Sequence, residues 1–288
     1  NNDIFVQGDF NVSPNGQTVL LSALNLNGSI QLSGETRTIT NTTETGPVRF
    51  GGVISNGGLS LQTDPSSPSA YFTFNGSQAN TYTGETTVGE YVTLTLNKDD
   101  HVTAIAGDVT IEEGALLVTA GEEQIADDAN IHFEDITDLR IGLLTNVTET
   151  IGSISDDNSG WGMITLNGLV NGSTLRVESG TFTGDITGGG VNSVSLEKYG
   201  AGTLTLEGYN DYRGDTSITG GVLEVSEDEN LGSTGGWITD PSRLLFDGGT
   251  LSTLASFETK RDTVLESGGG TFRTKNNSVL THSGSISG

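Results

Sequence analysis

The chain contains no cysteine, which excludes disulfides, thiolate nucleophiles and cysteine-ligated zinc together. Basic residues are scarce. There are 12 Lys and Arg against 37 Asp and Glu, a formal net charge of −25. A surface of that sign repels phosphate backbones and anionic lipids, so nucleic acid is not an expected partner. No run reaches the roughly 20 apolar residues that span a bilayer as a helix, and direct membrane insertion of this segment is not expected either. No signal peptide is visible, and the chain opens on "NNDIF" without a methionine, as a fragment of a larger protein would. Hydrophobic residues make up 33% of the 288 positions, below the roughly 45–50% of ordinary domains by a somewhat broader count.

What is abundant is glycine, 42 residues of it, with Ser, Thr and Asn. The apolar residues are few but alternate, which disordered tracts do not do. In "GTLTLEG" (202–208), Leu204 and Leu206 share one face and Thr203 and Thr205 the other, the period of a half-buried strand. "TSIT" and "VLEV" follow as further short strands, the second burying Leu223 and Val225, with "GG" between them. Three short strands in about 25 residues, separated by glycine corners, predict stacked parallel coils rather than a sandwich or barrel of longer hairpins.

Internal repetition supports that reading. "NTYTGETTV" (80–88) lies over "NDYRGDTSI" (210–218), with Asn80, Tyr82, Gly84 and Thr86 falling on Asn210, Tyr212, Gly214 and Thr216. Upstream, "YFTFNG" (71–76) matches "TLTLEG" (203–208). The chain is therefore expected to be one continuous segment over 1–288, in internal cycles of approximately 1–62, 63–193 and 194–288.

The stretch "SLEKYGAGTLTLEGYNDYRGDTSITGGVLEVSEDENLG" (195–232) closely resembles the autotransporter-associated β-strand repeat of bacterial passenger domains. Leu196, Lys198, Gly200, Gly202, Thr203 to Leu206, Gly208, Asn210, Tyr212, Gly214, Thr216, Ile218, Gly221 and Leu223 carry the resemblance. The earlier copy departs from it: "LQTDPSSPSAY" (61–71) stands where the lead-in would be, and its two prolines predict a loop or distorted coil. The resemblance implies a right-handed parallel β-helix, all-β and elongated. It also implies a non-catalytic stalk, adhesin or scaffold at the bacterial cell surface or secreted, with no catalytic residue to carry over. Implied partners are a host or sister-cell surface, protein or glycan, and further copies of the chain through self-association.

His101, His132 and His282 show no metal-site spacing. Asp156 with Asp157, and Asp211 with Asp215, are the carboxylate pairs that a glycan-degrading β-helix would need, and all four are expected in turns. No cofactor is indicated. Calcium is the one ion with candidate ligands, in "NKDDH" (97–101), "ADDAN" (126–130), "SDDNSG" (155–160) and "SEDEN" (226–230), though none has the spacing of a known calcium loop. Trp161 and Trp237 are placed in irregular glycine-flanked segments, as plugs or covers of a coil. Arg213-Gly214-Asp215 spells the integrin-binding tripeptide, but it falls on repeat positions and leads directly into a predicted strand. It is read as an accident of the repeat.

Overall fold

A computed structural model of the chain describes residues 3–12, 23–42, 46–134, 138–141, 147–157, 160, 162–166, 172–188, 194–235, 242–275 and 277–288. Short strands pair in parallel with strands one turn away, and the chain winds into a three-sided β-solenoid. On one side the inward column runs Leu59, Thr86, Val109, Ile131, Ile154, Gly180, Leu204, Leu223, Leu251, Phe272. On the next it runs Val48, Phe72, Leu94, Leu117, Leu139, Ile164, Ile186. The remaining side holds Ile4, Ile30 and Ile54 early, and Leu175, Leu196, Thr216, Leu244 and Thr263 late. Paired residues of neighbouring turns are separated by as few as 19 residues (Leu204 to Leu223) and as many as 29 (Phe10 to Ile39), bracketing the expected 25.

Alternation sets what each strand buries. Leu204 and Leu206 are inside while Thr203 is exposed, and Leu223 and Val225 are inside beside half-buried Glu224. Half of the described aromatic residues are inside: Phe50, Phe72, Phe74, Phe133, Phe182 and Phe246 are fully buried, as are Tyr82 and Tyr212. Each such side chain contributes roughly 1.5–3 kcal/mol by burial. Stacking identical rungs lets neighbouring rings meet, as in the edge-on Phe50–Phe74 pair at 5.4 Å. The proline-bearing segment is a turn between the strands Gly58–Thr63 and Ala70–Gly76, closed by the Ser66 amide on Asp64 Oδ1 at 2.9 Å.

The cross-section changes along the axis. The strands Thr148–Asp156 and Thr174–Phe182 each run through two sides without a corner. One turn later the same track is split. Thr174–Val177 pairs with Ser195–Lys198, Gly180–Phe182 pairs with Leu204–Leu206, and a glycine corner at 199–202 separates the two. Upstream of the split, Thr86 sits in the Leu59–Leu204 column; downstream, its repeat equivalent Thr216 sits in the Leu196–Leu244 column. The two repeat copies thus face different sides of the rod.

Candidate functional site

The repeat motif places an irregular corner between two strands, and its named residues hold that corner. Asn80 Oδ1 accepts from the Ile54 amide at 2.9 Å, and Asn80 Nδ2 donates to Ala104 O at 2.7 Å. Asn210 repeats the arrangement, accepting from the Ile186 amide at 2.7 Å and donating to Asn230 O at 2.6 Å. Each asparagine therefore ties the turn before it to the turn after it. Two residues on, the Tyr82 hydroxyl meets Thr86 Oγ1 at 2.6 Å, and that of Tyr212 meets Thr216 Oγ1 at 2.7 Å. Burial pushes both phenols upward, Tyr212 to about 12, so both hydroxyls remain neutral. A Cβ on Gly214 would lie 2.4 Å from Val194 O, and one on Gly84 would lie 2.5 Å from Gly57 O. Only glycine lets the backbones of adjacent turns come so close.

Sequence reading missed the buried ions. Lys98, Lys198 and Arg261 are inside the rod. Lys198 Nζ donates to the corner carbonyls of Tyr199, Gly200 and Gly220, which explains the lysine of the repeat. Lys98 Nζ does the same for Gln78 O at 2.7 Å and Asn75 O at 3.3 Å, and burial lowers its pKa to about 8. Arg261 uses every guanidinium nitrogen, on Asp228 Oδ1 at 2.9 Å and on the carbonyls of Ser233, Ser242, Asp228 and Gly232. Buried Glu149 accepts from the amides of Gln124 at 3.1 Å and Ile125 at 2.7 Å, and desolvation holds its carboxyl well above the usual range. The signal that could have found these residues is their place at the inward phase where an alternating strand meets a corner.

The sequence candidates disperse. Asp156 is not in a turn: it ends the strand Thr148–Asp156, in the inward column between Phe133 and Phe182, and its Oδ2 accepts from the Thr183 and Gly184 amides and the Thr183 hydroxyl. Its neighbour Asp157 pairs with His132 Nε2 at 3.2 Å. Asp211 Oδ1 accepts from the Gly188 amide at 3.0 Å. Asp215 is held in a fork by Arg243, with Nε on Oδ1 at 3.0 Å and NH2 on Oδ2 at 2.6 Å. The integrin-like tripeptide thus displays an exposed Arg213 and a carboxylate that is already engaged. His101 lies by Glu122 at 3.6 Å, and His282 Nε2 meets Thr263 Oγ1 at 2.9 Å. Among the described residues no three His, Asp or Glu side chains converge as metal ligands would. In the acidic turns, Asp100 accepts from the Glu122 amide, and Asp228 of "SEDEN" serves Arg261. Trp161 and Trp237 lie outside the described residues.

Comparison with known proteins falls on the same residues. Segments 71–90 and 196–225 match the passenger-associated-transport-repeat. The chain is 37% identical over 169 residues to the adhesin BmaC autotransporter of Brucella suis biovar 1 (strain 1330), covering 51% of this chain and 5% of that protein. It spans about one-twentieth of that relative's length. No solved structure matches. The chain carries the repeat of autotransporter passenger domains, wound as a β-solenoid.

Proposed function

We propose that this repeat-bearing solenoid is a non-catalytic, adhesive segment of a bacterial surface-exposed or secreted protein. The observation that carries the reading is the similarity over half the chain to an adhesin autotransporter, on residues that build the corners of the rod. The chemistry agrees with it. The carboxylates that a glycan-cleaving site would use are engaged in backbone and side-chain hydrogen bonds. A stack of coils supplies reach, and its sides supply repeated polar surface. Buried cations (Lys98, Lys198, Arg261) and buried carboxylates (Glu149, Asp156) nearly offset each other, so the surface keeps the strongly acidic balance of the whole chain, which keeps rods apart until a specific contact forms. The partner is a host or sister-cell surface.

The test is adhesion itself. Beads coated with the purified segment, mixed with host epithelial cells and with bacteria displaying the same segment, should be retained more than beads coated with a scrambled-surface rod. Equal retention on every cell type would overturn the reading. Release of reducing sugar from surface polysaccharides, abolished by Asp215→Ala, would replace it with an enzymatic one.

A further inference from the structure

Tyr91 stands in a backbone conformation that bulky residues avoid. Its φ is +56°, and it comes three residues after Val88, the end of a strand. Three residues after Ile218, at the same point of the second repeat copy, stands Gly221, also with φ +56°. One turn below Tyr91, three residues after Ile111, stands Gly114 at +69°. This corner therefore calls for glycine, and the first copy carries an exposed tyrosine there instead. A side chain kept where the backbone disfavours it points to a use for the side chain.

The ring is placed with care. A Cβ on Gly114 would come within 2.7 Å of Tyr91 Cδ1 and Cε1, so one edge of the ring lies close against the glycine of the next turn. Half of Tyr91 still faces solvent, at 50% exposure. On the turn above, the Ala70 amide bonds Tyr91 O at 3.3 Å, and the next residue, Tyr71, points outward at 45% exposure. Two open phenol rings thus stand on consecutive turns at one edge of the rod. Carboxylates border them: Glu90 and Glu113 are exposed, and Glu112 Oε2 takes the Glu90 amide at 3.1 Å.

We infer that Tyr71 and Tyr91 form a stacking platform for an uncharged sugar chain. The apolar face of a pyranose packs on a rigid aromatic ring, and carboxylates beside it accept from the sugar hydroxyls. The same carboxylates, on a chain of net charge −25, disfavour uronic, sialic or sulfated sugars. The inference deepens the adhesive reading and rests on it, by giving the rod a class of ligand.

Tyr91→Gly restores the residue of the second copy and separates structure from binding. Titration calorimetry with cello-, malto-, manno- and chito-hexaose should show binding of at least one oligomer, weakened tenfold or more by Tyr91→Gly and by Tyr71→Ser. A galacturonate hexamer should not bind. The melting temperature of Tyr91→Gly should equal or exceed that of the parent. A clear fall in melting temperature would make Tyr91 a staple across turns. Binding to none of the four neutral oligomers, or binding that both variants retain, would likewise sink the platform. If the platform fails while coated beads still adhere, only the ligand class falls; if adhesion fails while sugar binds, the adhesive reading falls alone.

Discussion

Asn80 and Asn210 are 130 residues apart and make the same two hydrogen bonds, one to the turn before and one to the turn after, on different sides of the rod. The repeat encodes a corner, not a compass direction. Each asparagine satisfies a buried amide that the irregular corner leaves without a strand partner, Ile54 in one case and Ile186 in the other.

Replacing either by alanine strands that amide and a carbonyl. A loss of about 1–3 kcal/mol is expected for each of Asn80→Ala and Asn210→Ala. Because the two corners share no partners, the double variant should lose the sum. Urea titrations of the three variants check both statements.

Arg261 is fully buried and fully bonded, so its removal leaves Asp228 and the carbonyls of Ser233, Ser242 and Gly232 facing one another. Arg261→Met should cost about 3–5 kcal/mol. Arg261→Lys should recover only part, since one ammonium cannot reach five acceptors. Thermal unfolding followed by circular dichroism would show the ranking Arg, Lys, Met.

Glu149 gives a pH dependence with a defined sign. Its folded carboxyl binds a proton more tightly than the unfolded one, because burial disfavours the charge. Folding therefore takes up a proton as pH falls from neutral, and this residue's contribution improves until pH drops below its unfolded value near 4.5. Glu149→Gln cannot take up that proton. Melting temperatures of the parent and Glu149→Gln, compared between pH 7 and 4.5, should diverge in favour of the parent as pH falls.

The Arg213-Gly214-Asp215 tripeptide should be silent in adhesion. Asp215→Glu is expected to leave bead retention on integrin-bearing cells unchanged, because Arg243 already holds the carboxylate. Arg243→Ala should shift stability by no more than about 1 kcal/mol, as exposed pairs do. Retention that disappears with Asp215→Glu would restore the integrin reading.

Much of this fold was legible in the chain. Leu204, Leu206, Leu223 and Val225 announced their faces by alternation, since a strand turns its side chains by a half-circle at each step. Asn80, Tyr82, Gly84 and Thr86 announced a corner by recurring. For Lys98, Lys198, Glu149 and Arg261 the only mark in the chain was their inward phase beside a corner; a charged letter does not say whether carbonyls or amides wait for it one turn away. Asp156 misled for the same reason: an acid beside "DNSG" looks like part of a turn, yet Thr183 and Gly184, 27 and 28 residues later, give it three donors inside the rod.

By itself the sequence determined the local period, the corners and the acidic coat, because strand alternation, glycine geometry and net charge depend only on neighbours and totals. Only the tertiary structure decided which turns stack on which, and so where the strain of Tyr91 and the charges of the core find their partners. Those partners lie a full coil away, at a distance set by coils of 19 to 29 residues that no local pattern fixes.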